Sequence, residues 1–330
     1  MAKQLAGQSR LVVLAVDGVS HAVAVETWKP KRLEALQSTF PTTSTTAWLT
    51  AFTGVHPSVH LVPGMAFAVR DDVVRAVGPA PDELVADVPT VFEHLLVDGV
   101  TTVACLGLLS WYEGPWSRAL LRGAKRCPSR REGHRASDPR AVVEASVADV
   151  EEALTSGATI VWAYVDIDSA VHREGYSSRV RQALKDLDLA AGRWSTNGAT
   201  TLAVSDHGAT VIEHREEIRT AWDDLEQSEL CCLPAGGAGR TRWLYAAPGR
   251  AQDLMTRARA ALADVACVLS QADLADRGLL DPRGPLERRV GDVIAIATDA
   301  AFPVPDRDHH FDHGALTADE VMVPLAVWRA

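Results

Sequence analysis

Acidic and histidine side chains recur in this sequence where short apolar runs end. They occupy four separate segments: Asp17, Asp168 with His172, Asp206 with His207, and His313. Carboxylates and imidazoles together are typical ligands of zinc or manganese. A pair of such ions can activate an oxygen nucleophile and stabilise a phosphoryl group during its transfer. The residue types therefore indicate a two-metal phosphoryl-transfer site.

A run of hydroxyl side chains lies between the first two ligand segments: Thr42, Thr43, Ser44, Thr45 and Thr46. The pattern that follows predicts a helix over residues 46–53, closed by Gly54. A hydroxyl at a helix N-terminus can act as a nucleophile beside backbone N–H groups that bind phosphoryl oxygens. Without the metal ligands, the same run would be interpreted as a helix cap.

Each ligand pattern also has a simpler interpretation when it is taken alone. Asp17-Gly18 and Asp206-His207-Gly208 are common turn or cap sequences. Asp168 and His172 have the spacing of a solvated pair on one helix face, which is also the spacing that suits joint ligation of one cation. We favour the metal interpretation because all three patterns occur together.

Three apolar runs predict the strands that would position these side chains. Parallel strands buried on both faces are predicted over residues 11–16, 158–165 and 200–204. In open α/β sheets, ligands bind beyond the carboxyl ends of the strands. We therefore expect Asp17, Asp168 and Asp206 to be neighbours, with Asp166 supporting Asp168.

The rest of the chain alternates predicted helices and strands. Further helices are predicted over residues 30–37, 90–97, 141–156 and 178–194, further strands over 101–106 and 323–328, and a loop over 111–131. A βαβαβ pattern follows residue 233. The predicted class is α/β: a doubly wound, mostly parallel sheet sandwiched by helices, formed by residues 1–232 and 303–330, with a small inserted α/β cap subdomain over 233–302.

Bulk composition argues against several classes of function. The 330 residues carry a formal net charge of −10, whereas nucleic-acid-binding surfaces need clustered Lys and Arg. The apolar run after the polar N-terminus is too short for a signal sequence or a membrane span. Five cysteines without zinc-ligand spacing favour a reduced, cytoplasmic protein. We expect a small-molecule substrate, with no nucleic-acid or membrane partner.

Six segments resemble, in the same order, those of one family. They are Leu14-Ala15-Val16-Asp17-Gly18, Phe40-Pro41-Thr42-Thr43-Ser44, Thr53-Gly54-Val55-His56-Pro57 with His60, the segment from Tyr164 to Gly175, the segment from Ser205 to Gly208, and His313-Gly314-Ala315-Leu316-Thr317. On these segments the chain resembles the alkaline phosphatase superfamily, most closely its type I phosphodiesterase and nucleotide pyrophosphatase branch. An ordered set of this kind is far more specific than any one of its motifs.

The resemblance implies a complete catalytic site. Asp168, His172 and His313 would bind one divalent ion, most simply zinc, and Asp17, Asp206 and His207 would bind the other. Ser44 takes the nucleophile position and would also ligate the second metal, with Thr43 and Thr45 as the alternatives. The implied activity is hydrolysis of a phosphodiester or pyrophosphate bond of a small, nucleotide-like substrate through a covalent phospho-Ser44 intermediate. The family's Asn, three positions after the nucleophile, is replaced here by Ala47.

The candidate substrate contacts are Thr45, Trp111, Tyr112 and Trp116. The aromatic residues and the arginines that follow them could form a lid over a planar group, or simply an aromatic-anchored surface loop. His309 and His310 are the alternatives to His313 as a ligand. Three other functions fit the same pattern: a phosphomonoesterase, a metal-dependent phosphomutase, and a binding protein that has kept the fold without the chemistry.

Overall fold

A computed structural model gives the structure of residues 10–129 and 131–329. Its strands are β1 (Arg10–Asp17), β2 (Arg32–Gln37), β3 (Ala66–Val69), β4 (Asp72–Arg75), β5 (Thr102–Cys105), β6 (Lys125–Cys127), β7 (Ile160–Asp166), β8 (Ala199–Val204), β9 (Thr210–Val211), β10 (Cys231–Ala238), β11 (Thr241–Ala246), β12 (Ala266–Ser270), β13 (Val293–Ala297), β14 (Phe311–Asp312) and β15 (Met322–Trp328). Within the described residues, the central sheet has the strand order β2-β15-β8-β1-β7-β5-β6. The strands from β8 to β6 are parallel, and β15 runs antiparallel to both of its neighbours.

Helices cover both faces of this sheet. They are α1 (His21–Thr27), α2 (Ser44–Thr53), α3 (Pro57–His60), α4 (Val91–Val97), α5 (Pro115–Leu120), α6 (Pro139–Thr155), α7 (Asp168–Glu174), α8 (Ser178–Thr196), α9 (Glu216–Glu226), α10 (Ala251–Ala261), α11 (Gln271–Asp276) and α12 (Ala318–Val321). Side chains of β7 alternate between the two layers: Val161, Ala163 and Val165 pack with α6 and α8, whereas Trp162 and Tyr164 pack with α2 and α4. A strand buried on both faces needs this continuous apolar sequence. The structure confirms the predicted α/β class with a mostly parallel sheet flanked by helices.

A second sheet contains the strands of the 233–302 segment. Its order is β12-β13-β11-β10-β3-β4, and its recorded pairings are antiparallel. The β3–β4 hairpin belongs to an earlier part of the chain, and β10 begins at Cys231, two residues before the predicted boundary. The division into a core and an inserted subdomain stays a prediction.

Two sequence predictions were wrong. The helix expected over residues 30–37 is the edge strand β2, which pairs antiparallel with β15 along its whole length. Pro30 indicated a first helical turn, but pairing of residues 32–37 with β15 outweighed this local propensity. The loop expected over 111–131 contains α5 and β6, and it follows a 3₁₀ turn at Gly107–Trp111.

No helix in the described residues is both long and apolar enough to cross a bilayer. The five cysteines, all within the described residues, are free thiols.

Candidate active site

The carboxyl ends of three neighbouring strands meet at one edge of the central sheet. Asp17 at the end of β1 pairs with Asp166 at the end of β7, and Asp206 follows β8 on the other side. Gly18 has a φ of 78°, a region that disfavours L side chains, and a Cβ on it would lie 2.7 Å from the Cβ of Asp168. Glycine therefore allows the turns after β1 and β7 to approach each other closely.

One candidate ligand group joins α7 to the loop before α12. Asp168 is the first residue of α7, and His172 follows one turn later. The Nε2 atom of His172 lies 2.9 Å from Asp168 Oδ2, and the Nε2 atom of His313 lies 3.7 Å from the same oxygen. The structure thus brings together the three residues predicted to bind one metal.

The other group lies at the ends of β1 and β8. His207 Nε2 is 3.4 Å from Asp17 Oδ1 and 3.3 Å from Asp206 Oδ2. The Oγ atom of Ser44 is 3.1 Å from His207 Nε2 and 3.3 Å from Asp17 Oδ1. The rings of His207 and His313 stack with their centroids 3.5 Å apart, so the two groups are adjacent.

Backbone carbonyls orient all three imidazoles. The Nδ1 atoms of His172, His207 and His313 lie 2.9, 3.1 and 2.7 Å from the carbonyl oxygens of Phe311, Gly208 and Thr42. A carbonyl oxygen can only accept, so each Nδ1 carries the hydrogen. Nε2 is then the nitrogen of each ring that faces the site and can ligate a metal ion once it has no proton, which is the orientation that a metal-ligating histidine needs.

Two buried carboxylate oxygens support binding of cations at these groups. Asp168 Oδ1 and Asp206 Oδ2 have no hydrogen-bond partner among the described residues. An unpaired buried carboxylate oxygen is costly, and a divalent cation would supply the missing partner. The mixture of carboxylate and imidazole donors suits zinc or manganese better than magnesium or calcium.

The protonation of the site reflects crowded, buried charge. Burial, together with the carboxylate of Asp168, raises the pKa of Asp206 to about 7, and burial raises the pKa of Asp17 well above its ordinary value. Burial alone would raise the pKa of Asp168, but the imidazoles of His172 and His313 outweigh it and lower that pKa. Burial opposes charge on His172, yet Asp168 raises its pKa to about 10, whereas burial lowers the pKa of His313 to about 3. Bound cations would replace the protons that these groups otherwise share.

Ser44 is the hydroxyl of the 42–46 run that lies beside the ligands. It is the first residue of α2, and Thr43 is the N-cap. Thr42 and Thr45 donate their hydroxyls to backbone carbonyls 3.1 and 2.9 Å away. Thr43 and Thr45 are also fully buried, whereas Ser44 is partly exposed.

A cavity of about 130 Å³ opens beside Ser44 and the carboxylates. Its lining comprises Asp17, Ser44, Met65, Val77, Leu108, Leu109, Tyr112, Trp116, Tyr164, Asp166, Asp168 and Ser169. Tyr112 and Trp116, two of the predicted substrate contacts, lie in this lining, whereas Trp111 does not. Trp116 is buried, and its Nε1 donates to the backbone carbonyl of Thr45 at 2.8 Å.

The arginines after the aromatic cluster pair with acidic side chains. Arg118 lies 2.7 Å from Asp82, and Arg122 lies 2.9 Å from Glu93. These contacts match the surface-loop interpretation of the arginines.

Sequence reasoning missed several residues that support the site. Tyr164 donates its hydroxyl to Asp17 Oδ2, and Tyr176 donates to the carbonyl of Gly18 at 3.1 Å. Tyr164 is two residues from Asp166 and so shares its face of β7, which is a signal that the sequence did contain. Met65 and Val77 flank the β3–β4 hairpin, whose position depends on the second sheet, so no local signal could have indicated them.

His309 stacks on His172 with 3.7 Å between ring centroids. Its Nδ1 and Nε2 atoms lie 3.2 and 3.4 Å from carboxylate oxygens of Asp312 and Asp306. His309 forms a third candidate ligand group with His172 and Asp312, whereas His313 is the histidine that lies with Asp168.

Comparisons with known proteins identify the family and the fold. The family described as type I phosphodiesterase / nucleotide pyrophosphatase matches residues 31–316. The structure is similar to phosphonoacetate hydrolase from Sinorhizobium meliloti 1021 in complex with phosphonoformate, with a TM-score of 0.72 and 14% identity over 97% of this chain and 90% of that one. It is also similar to murine ectonucleotide pyrophosphatase / phosphodiesterase 5 in complex with AMP, with a TM-score of 0.72 and 13% identity over 98% of this chain and 88% of that one. A sequence search among curated proteins finds no significant match.

At such low identity the structural similarities establish only the fold. The family match covers most of the chain and therefore establishes the family. The family is metal-dependent, and this chain has matching candidate ligand groups. The chain therefore belongs to the type I phosphodiesterase / nucleotide pyrophosphatase family of the alkaline phosphatase superfamily and is a phosphoryl-transfer hydrolase.

Proposed function

We propose that this protein hydrolyses phosphodiesters of small molecules at a site for two divalent metal ions, most simply zinc, with Ser44 as the nucleophile. One observation carries the proposal: Ser44 Oγ lies 3.1 Å from His207 Nε2 and 3.3 Å from Asp17 Oδ1, at the N-terminus of α2. A nucleophile placed against ligand atoms in this way can form a covalent intermediate.

The reaction would proceed in two displacements at phosphorus. Ser44 loses its hydroxyl proton to solvent as Oγ forms a bond to phosphorus and the bond to the leaving-group oxygen breaks, and the leaving group takes up a proton from solvent. Water then loses a proton as it attacks the same phosphorus, the bond to Ser44 breaks, Ser44 Oγ is protonated again, and a phosphate monoester is released. Bound metal ions would stabilise charge on the phosphoryl oxygens and lower the pKa of the attacking hydroxyl or water.

The protein's own groups would orient these steps. The Ser44 hydroxyl donates to Asp17 Oδ1 at 3.3 Å, which fixes the position of its oxygen beside His207 Nε2. The first backbone N–H groups of a helix have no partner within the helix, so those of Ser44 and Thr45 at the start of α2 can donate to the phosphoryl oxygens. They offer an alternative to the Asn that Ala47 replaces.

Charge balance favours diesters over monoesters. Two divalent ions carry four positive charges, and the carboxylates of Asp17, Asp166, Asp168 and Asp206 carry at most four negative charges. A phosphodiester monoanion adds one negative charge to such a site, whereas a monoester dianion adds two. No Lys or Arg is among the described residues that line the cavity, so the second negative charge of a monoester would lack a countercharge. Small phosphorus-containing ligands in two similar proteins, phosphonoformate and AMP, support a small-molecule substrate.

The test compares turnover of bis(p-nitrophenyl) phosphate and p-nitrophenyl phosphate by the parent and Ser44→Ala. We expect the parent to prefer the diester, to lose activity on chelation and to regain it with zinc, and we expect Ser44→Ala to lose at least about a thousandfold in kcat. Ser178→Ala is the matched control, since Ser178 is the first residue of α8 and is exposed. Parental rates in Ser44→Ala would exclude the covalent mechanism, and a strong monoester preference would exclude the diesterase.

A further inference from the structure

We propose that the cavity beside Ser44 accepts a compact, uncharged and mainly apolar substituent on phosphorus, such as an alkyl group or a single aromatic ring, and excludes a nucleoside. The inference rests on the proposed function and specifies its substrate class. It depends on three properties of the cavity: the chemistry of its walls, its charge and its size.

The wall opposite the carboxylates is apolar. It is formed by Met65 and Val77 at the two ends of the β3–β4 hairpin and by Leu108 and Leu109 in the 3₁₀ turn. Tyr112 stands at the mouth with 43% of its surface exposed. A nucleobase needs partners for several ring and exocyclic polar atoms, and a buried polar group without partners is costly. An alkyl or phenyl group needs none.

The charged side chains in the cavity lining are all acidic. Asp17 and Asp168 belong to the ligand groups, and Asp166 is buried beside them. Neither Lys, Arg nor His is found among the described lining residues. A second anionic group on the substrate, such as the carboxylate of a phosphonocarboxylic acid or the outer phosphate of a pyrophosphate, would be buried against Asp166 without a countercharge. This selects an uncharged substituent.

The cavity volume limits the size of that substituent. It measures about 130 Å³, whereas pockets that enclose drug-sized ligands measure roughly 300 to 1,000 Å³. The phosphoryl group beside Ser44 also occupies part of this cavity, so the remaining space suits a phenyl ring or a short alkyl chain, and a nucleoside would extend out of it past Tyr112.

Close backbone contacts keep the walls from moving apart. Gly107 has a φ of 51°, and any Cβ on it would overlap the carbonyl oxygen of Tyr164. A Cβ on Gly114 would likewise overlap the carbonyl oxygen of Gly78 in the loop after β4. The Nε1 of Trp116 donates to a backbone carbonyl in the first turn of α2 at 2.8 Å. The turn that carries Leu108 and Leu109 is therefore held against β7, the hairpin loop and the helix of the nucleophile.

Two p-nitrophenyl esters with the same leaving group test the inference on the zinc-loaded full chain. They are phenyl p-nitrophenyl phosphate and thymidine 5′-(p-nitrophenyl phosphate). We expect kcat/KM to be at least about tenfold higher for the phenyl ester, because the thymidine group is too large for the cavity and its polar atoms would lie against apolar side chains.

Variants that widen the cavity connect this ratio to the wall. Leu108→Ala should shift the ratio severalfold towards the thymidine ester, and Tyr112→Ala, at a partly exposed position, should do the same without disturbing the core. Leu189→Ala is the matched control, because Leu189 is exposed on α8 and lies outside the cavity lining. Its ratio should equal that of the parent.

The outcomes separate this inference from the proposed function. Turnover of both esters with an equal or higher kcat/KM for the thymidine ester would overturn the inference and leave the diesterase intact. Parental ratios in both widening variants would also overturn it, because the substituent would then lie elsewhere. A parent that hydrolyses neither ester would overturn the proposed function and the inference together.

Discussion

Replacing Glu320 with Gln should weaken both the fold and the metal site. Glu320 is fully buried, and its Oε1 lies 3.3 Å from Nε of Arg240, which is also buried. That N–H is not directed at the oxygen, so the contact is an ion pair without a hydrogen bond. Glu320 also accepts from the backbone N–H of Ala315 at 2.8 Å and from the hydroxyl of Thr317 at 2.7 Å. Its carboxylate thus holds Ala315 and Thr317, in the loop that follows His313, in place.

The expected magnitude follows from these contacts. Removing one partner of a buried ion pair leaves an uncompensated buried charge and typically costs about 3 to 5 kcal/mol. The Gln side chain also presents an NH₂ group where the carboxylate accepted two sets of donors. Because the backbone N–H of Arg240 donates to the carbonyl of His313 at 2.7 Å, a shift of Arg240 would move the ligand loop. We expect a loss of about 4 kcal/mol in the free energy of unfolding and a roughly 10- to 100-fold loss in zinc affinity.

Urea unfolding of the metal-free protein, followed by tryptophan fluorescence, measures the first effect, and chelator competition for zinc measures the second. Glu34→Gln is the matched control, because Glu34 pairs with Arg32 on the surface and should change neither quantity. Adding Arg240→Met to Glu320→Gln should restore part of the stability, because it removes the buried guanidinium that Glu320→Gln leaves without a countercharge. A loss below about 1 kcal/mol in Glu320→Gln, with parental zinc affinity, would refute the reasoning.

Two further predictions concern the turn after β1 and a buried histidine. Gly18→Ala should lower zinc affinity and kcat/KM at least about tenfold, because its Cβ would lie 2.7 Å from the Cβ of Asp168; Gly157→Ala, at a φ of 90° with no atom within 4 Å, should show the backbone cost alone. Burial lowers the pKa of His60 from 6.5 to about 3. Between these two pH values the unfolded chain binds a proton that the folded chain does not, so the free energy of unfolding decreases as the pH is lowered. His60→Gln should lose about 2 kcal/mol less than the parent between pH 7 and pH 5 in urea titrations, and equal losses would show that His60 does not contribute.

The sequence by itself was sufficient to predict the candidate residues of the site. Asp17, Asp168 and Asp206 each follow a continuous apolar run, and such runs form parallel strands whose carboxyl ends meet at one edge of the sheet. Short-range order therefore sufficed to predict that these carboxylates converge and that a hydroxyl run precedes a helix, and the resemblance to the family pointed to Ser44 within that run. The α/β class followed from the same periodicity.

Only the tertiary structure decided which hydroxyl faces the ligands and what surrounds it. Thr43 and Thr45 differ from Ser44 by one position, and only the direction of α2 relative to β1 and β8 separates them. Residues 32–37 became a strand because β15, almost three hundred residues later, offered an edge to pair with. The cavity walls at Met65 and Val77 depend on a hairpin that joins a sheet formed mainly from the far half of the chain. Such contacts depend on pairing between distant segments, which local propensity and spacing do not encode.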